Sequence, residues 1–269
     1  MYARYPHRIV CLTEETTETL YLLGEQDRII GISGFTVRPP QARREKPKVS
    51  AFTSAKLDKI MALKPDLVLG FSDLQADIAA DLIRAGINVH VFNQRSVQEI
   101  LDMILLLGAM VGATDKAQAL VAEFSANLTA AKTASAQWPH RPKIYFEEWD
   151  EPRISAIRWV SELIGIAGGD DCFPERAVQA AGKDRIIADD GEIIARQPDI
   201  IIGSWCGKKF RPEKVAARPG WESIPAVQSG QLHEIKSAEI LQPGPAALSD
   251  GLARLSTIIE TWHSHQIPV

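Results

Sequence analysis

Two pairs of adjacent carboxylates, Glu14-Glu15 and Glu147-Glu148, and one run of cations with aromatic neighbours, residues 205–211, are the groups best equipped for chemistry in this 269-residue chain. Four carboxylates would offer oxygen ligands to a hard cation. The six histidines (His7, His90, His140, His233, His263 and His265) fall outside these segments, and we read no metal site. Cys206 has the reactivity of a nucleophile, but no motif sets a histidine beside it. A small buried thiol is the commoner role, and we read no catalytic residue. Lys208, Lys209 and Arg211 read either as a solvated loop or as partners for carboxylate, phosphate or catecholate oxygens. Phe52, Trp149 and Trp205 lie in or beside polar loops rather than on apolar stripes, which suits them to cover a flat ligand. Trp221 and Trp262 read as packing residues.

The elements that must position these groups announce themselves by a repeated phrase. Residues 62–70 read Ala-Leu-Lys-Pro-Asp-Leu-Val-Leu-Gly, and residues 195–203 read Ala-Arg-Gln-Pro-Asp-Ile-Ile-Ile-Gly. Each is a helix end, a Pro-Asp turn and a short apolar run closed by glycine, the pattern of a buried parallel strand. The copies lie about half a chain apart, which predicts two similar α/β lobes with a cleft between them. In the first lobe, strands are expected at 8–12, 29–33, 67–71 and 89–92, with helices near 14–23, 56–63 and 76–85, an alternation that makes a mostly parallel sheet. Residues 96–137 carry only helical spacing, with Gly108, Gly112 and Thr114-Asp115 as a break and recapping. The second lobe restarts with strands at 142–146, 200–203 and 232–235, and is expected to mirror the first. The expected domains are thus an N-terminal lobe (1–95), a linker helix (96–137) and a C-terminal lobe (138–269).

Composition removes several function classes. At 45% hydrophobic and 24% charged, the chain has core material for one large or two modest domains. A net charge of −4 leaves no basic excess for nucleic acid. The longest apolar run, residues 100–111 interrupted by Asp102, is too short to span a bilayer. Three cysteines without CxxC spacing make neither a disulfide framework nor a structural zinc site, and the odd count suits a reducing compartment. No signal peptide precedes the first strand: the expected location is cytoplasmic if Met1 is the native start, and periplasmic if a signal was removed.

Several phrases resemble a known family when taken in order: Arg8-Ile-Val-Cys-Leu, Thr17-Glu-Thr-Leu-Tyr-Leu-Leu-Gly24, Asp27-Arg-Ile-Ile-Gly-Ile32, residues 57–68, and Ile224-Pro-Ala-Val227 with Gly230-Gln-Leu. Across nearly the whole chain they are similar to the class III, helical-backbone substrate-binding proteins of ABC importers for cobalamin and iron-siderophore complexes. That resemblance implies two Rossmann-like α/β lobes joined by a long rigid helix, with the ligand in the cleft and contacted by loops at the carboxyl ends of strands.

In those loops the expected ligand-binding residues of the first lobe are Glu14, Glu15, Thr16, Phe35, Phe52, Thr53, Ser72, Asp73 and Leu74. Phe52 and Thr53 stand where cobalamin binders of the family carry an aromatic residue facing the corrin. The second lobe is expected to offer Glu147, Glu148, Trp149, Trp205, Cys206, Lys208, Phe210, Arg211 and Glu239. Family members also dock on a permease through one acid per lobe, on the helix before the Pro-Asp turn. The first position corresponds to Asp58; at the second, Gly191 stands in the family's place with Glu192 beside it. The expected function is non-enzymatic binding of a corrinoid by a monomer, without a cofactor, either as an ABC-importer substrate-binding protein partnered by a permease or as a cytosolic relative of one. An iron-siderophore or haem-type chelate is the alternative ligand, and a cytosolic corrinoid- or chelate-processing enzyme is the alternative class. Four carboxylates facing one cleft would favour a neutral or cationic ligand over an anionic one.

Overall fold

The computed structural model describes residues 5–266. They divide into two compact units, one running up to Gln94 and including Gln98–Glu123, the other comprising Arg95–Val97 and the chain from Phe124 onward.

The first unit is built on β1 (Ile9–Cys11), β2 (Ile29–Ser33), β3 (Lys48–Ser50), β4 (Leu67–Phe71) and β5 (Val89–Phe92). All pairings are parallel, in the order β3-β2-β1-β4-β5. Every residue of β1 and β4 is buried, as expected of short apolar runs covered on both faces. The strand order reverses between β1 and β4, so the loops leaving their carboxyl ends form the crevice where open α/β sheets bind ligands.

The second unit carries β6 (Lys143–Asp150), β7 (Arg153–Ser155), β8 (Asp170–Asp171), β9 (Ile186–Ile187), β10 (Ile200–Gly203) and β11 (Leu232–Glu234). Their order is β11-β10-β6-β7-β9, with β8 also on β6. Here the expected mirror image fails. β6 runs eight residues, turns at Glu151-Pro152 and pairs antiparallel with β7, which pairs antiparallel with β9. The sheet is therefore mixed, because a tight hairpin replaces a helical crossover at this point.

The repeated phrase folds the same way in both units. Lys64 and Gln197, each preceding the proline, adopt left-handed backbone with φ of 49° and 50°. The aspartate that follows then clamps the start of the neighbouring strand. Asp66 carboxylate oxygens accept from the His7 and Arg8 backbone N–H groups at 2.8 and 2.9 Å, and Asp199 accepts from Lys143 N–H at 2.8 Å. Each phrase thus sets the register of its strand against the adjacent parallel one.

The segment 96–137 contains two helices, Val97–Val111 and Thr114–Ser135. They part at Gly112, whose φ of +75° suits glycine, and Gly108 lies so close to Ala117 that a Cβ there would meet the alanine methyl at 2.3 Å. The second helix has 22 residues, about 33 Å of rise, and the boundary between the compact units falls within it.

Candidate functional site

In the second unit β6 and β10 lie side by side in parallel, Glu147 opposite Gly203, so the chain leaves both strands at one edge of the sheet. The loop after β10 folds straight back. A Cβ on Gly203 would fall 1.9 Å from the Phe210 ring, so only glycine permits that approach. Phe210 N–H donates to Glu234 Oε1 at 3.2 Å, and its ring meets Trp205 edge-on at 5.0 Å. Beneath lies Glu147, fully buried and fully partnered: the Arg218 guanidinium donates to both its oxygens at 2.7 and 2.9 Å, Tyr145 hydroxyl at 2.9 Å and Trp205 Nε1 at 3.2 Å. A buried carboxylate is tolerable only with such a complement. Burial alone would lower the Arg218 pKa, but the hydrogen bonds and charge of Glu147 carry it upward. Burial, with Glu147 beside it, lifts the Tyr145 phenol well above its ordinary value.

Over this framework opens a cavity of about 560 Å³. Six cations line it: Arg153, Lys208, Lys209, Arg211, Lys214 and Arg218. Asp150 and Glu151 are the acids among the lining residues, and Trp205 adds an aromatic edge. Lys208 is held by Asp150 and lies 5.2 Å from the Trp205 ring centroid and 5.7 Å from that of Trp149. Arg153 pairs with Asp190 at 2.9 Å. Arg211 has only a loose 3.8 Å approach to Glu213, and neither Lys209 nor Lys214 forms an ion pair among the described residues.

The first unit offers a different surface. Helix Glu14–Leu22 starts directly after β1 and buries its first seven residues. Glu14 accepts the Val37 N–H at 2.8 Å, Thr13 hydroxyl donates to Glu15 at 2.5 Å, and Glu18 pairs with Arg38 at 2.9 Å. Burial pushes the Glu14 and Glu15 carboxyls up to about 7 each; the Val37 N–H opposes this for Glu14 and the Thr13 hydroxyl for Glu15, while neighbouring carboxylates reinforce it. Around them the strand-end loops expose apolar groups, with Phe35 59% and Leu74 58% exposed.

A residue that sequence reasoning missed ties these loops together. Gln75 is fully buried; its amide nitrogen donates to Phe52 O at 2.8 Å and Leu12 O at 3.4 Å, and its oxygen accepts from Phe71 N–H at 3.0 Å. The loops after β1, β3 and β4 are thus bolted to one side chain. The available signal was Gly70, where a Cβ would sit 2.8 Å from the Gln75 oxygen.

The expected site residues therefore sort by environment. Phe35, Thr53, Asp73, Leu74, Cys206, Lys208 and Arg211 are exposed at strand ends, and Phe52 and Trp149 are half-buried. Thr16 and Ser72 are buried, Ser72 with φ of 65° and its hydroxyl accepting the Leu74 N–H at 3.3 Å. The carboxylates and two aromatics sit deeper than expected. Glu147 faces inward to Arg218, and Glu148 is gripped by the buried Arg185 at 2.6 and 3.1 Å. Glu14 and Glu15 are packed inside the first unit, so the expected open array of four carboxylates does not exist. Trp205 and Phe210 are core residues whose packing shapes the loop. Glu239 lies 3.6 Å from Arg254. Asp58 is exposed in the first turn of helix Leu57–Ala62, whereas Glu192 is engaged by Arg176 at 2.6 Å. Among the described residues no three His, Cys, Asp or Glu side chains converge on a metal position, and no helix is long and apolar enough to cross a membrane.

Two α/β units whose strand-end loops present an apolar surface in one and a cationic cavity in the other define a small-molecule binding protein. The chain belongs to the periplasmic binding protein family, which matches residues 9–239. It is similar to the vitamin B12-binding protein of Vibrio parahaemolyticus, 25% identical over 246 residues that cover 90% of this chain and 86% of that one. An uncharacterized ABC transporter substrate-binding lipoprotein of Bacillus subtilis is 26% identical over 270 residues, covering 94% and 80%. Among solved structures, a possible iron-binding periplasmic solute-binding protein of Staphylococcus epidermidis superposes with a TM-score of 0.81 at 22% identity, covering 95% of this chain and 99% of that one. The family and these relatives are binding proteins, and this chain is a substrate-binding protein rather than an enzyme.

Proposed function

We propose that the chain binds a corrinoid at its strand-end loops and delivers it unchanged to an ABC permease. The observation that carries this reading is the set of aromatic and aliphatic side chains standing open at the ends of parallel strands. Phe35 and Leu74 are held out to solvent, and Phe52 is fixed through its carbonyl by Gln75. Apolar groups so exposed on a rigid frame suit a broad macrocycle. The vitamin B12-binding relative supports the same ligand class. Delivery to a permease is supported by the Bacillus relative, with Asp58 and Glu192 as the docking acids of the two units.

An iron chelate is the second reading, favoured by the cationic lining of the second unit's cavity. Gel filtration of the protein with cobalamin or with cobinamide, followed by visible absorbance, tests the first reading. Co-elution of the chromophore with unchanged spectrum and mass is expected. If neither corrinoid co-elutes, the corrinoid assignment fails; chemical alteration of the bound compound would instead indicate an enzyme.

A further inference from the structure

We infer that the cavity at the ends of β6 and β10 is an anion subsite, so that the ligand carries carboxylate or phosphate groups on its periphery. The inference rests on the binding-protein reading and narrows its substrate class. Its first support is charge. Lys208 is matched by Asp150, Arg218 by buried Glu147 and Arg153 by Asp190, whereas Arg211 has only a 3.8 Å approach to the exposed Glu213, and Lys209 and Lys214 have no acid within 4 Å among the described residues. Cations gathered around a concave wall focus a positive potential into it.

The second support is preorganisation. Arg218 is locked on two oxygens of Glu147 and stacked 4.5 Å over Trp221, and Lys208 is held against Trp205. The floor of the cavity is thus rigid, and an entering anion need not immobilise it. The third is position: these cations sit where parallel strands of the second unit end, the edge at which α/β sheets bind ligands. An amide-decorated, uncharged ligand would leave this wall unanswered, whereas carboxylate or phosphate oxygens meet it with charge-assisted hydrogen bonds.

The test compares cobinamide with cobinamide phosphate, two ligands with one corrin ring, by equilibrium titration of the full chain. The phosphate form is expected to bind about tenfold more tightly. That preference should shrink as salt rises from about 0.05 to about 0.5 M, and vanish in the triple variant Lys209→Gln/Arg211→Gln/Lys214→Gln. A second arm needs no corrinoid: pyrophosphate and citrate, each alone, are tested for raising the thermal midpoint of the wild type and not of the triple variant. Stabilisation by pyrophosphate assigns the pocket to phosphate, and by citrate to carboxylate. If neither cobinamide binds but an anion stabilises the protein, the corrinoid reading falls and the subsite stands. Equal affinities for the two cobinamides, with no stabilisation by either anion, would overturn the subsite and leave the corrinoid reading intact.

Discussion

The two units begin from the same phrase and end in opposite chemistry. In both, a left-handed residue precedes Pro-Asp, and the aspartate clamps the start of the neighbouring strand. Beyond the strands they diverge. The first unit buries its acids, Glu14 and Glu15, and exposes Phe35 and Leu74; the second buries Glu147 against Arg218 and exposes cations. The phrase therefore encodes strand register, while recognition is left to the loops after the strand, which the phrase does not constrain.

The sharpest way to break this comparison is at the ion pair beneath the cationic cavity. Arg218→Ala strands a buried carboxylate, and a loss of about 3–5 kcal/mol is expected in denaturant unfolding. Adding Glu147→Gln to the Arg218→Ala variant should recover much of it, since the uncompensated charge is then gone. A cost below about 1 kcal/mol for the single variant would mean that Glu147 is not held as described.

The buried acids of the first unit should make stability depend on pH. Their folded-state pKa values lie near 7, above the ordinary 4.5, so the folded state binds more protons than the unfolded one. Their contribution to stability is fully present below about 4.5 and is lost as pH rises through about 7, by the order of 3 kcal/mol for each carboxyl. Hydrogen exchange of helix Glu14–Leu22 should accelerate across that window, and Glu14→Gln/Glu15→Gln should flatten the profile. An unchanged slope in the double variant would place the titration elsewhere.

Gln75→Ala removes the shared anchor of three loops and leaves buried backbone groups without their partner; about 2 kcal/mol of destabilisation is expected by thermal or denaturant unfolding. Ligand affinity should fall with it, because Phe52 loses its support. The smallest effect belongs to the exposed surface. Phe35→Ser/Leu74→Ser should leave stability within about 0.5 kcal/mol and weaken corrinoid binding about fivefold or more in a visible titration. Wild-type affinity in that variant would transfer recognition wholly to the second unit.

Much of the framework was legible in the chain alone. β4 and β10 fall where the apolar runs predicted, because buried parallel strands are short β-branched or leucine stretches that tolerate little else, and the half-buried edge strand β5 falls where it was expected after Gly86. Gly112, followed by Thr114, marked the break between two helices. The hairpin from β6 into β7 was not legible, since Asp-Glu-Pro-Arg reads as a loop, and the antiparallel partner β9 is only two residues long. Among the expected site residues, Phe35, Leu74 and Lys208 are exposed at strand ends, as loop positions suggested, whereas both adjacent acid pairs are packed inward or held by arginine.

The reason lies in what each level can see. Sequence by itself determined the α/β class, the two-lobed arrangement and the short apolar strands after the Pro-Asp turns, all properties of local pattern and residue type. Only the tertiary structure decided which charges face solvent. Glu147 and Glu148 looked like an acidic wall until Arg218 and Arg185, 71 and 37 residues downstream, were brought beneath them. Lys209, Arg211 and Lys214 became a cation cluster because the fold gathers them into one cavity where only Asp150 and Glu151 are acids among the lining residues. A side chain's charge is written in the sequence; whether a partner cancels it depends on contacts between distant segments.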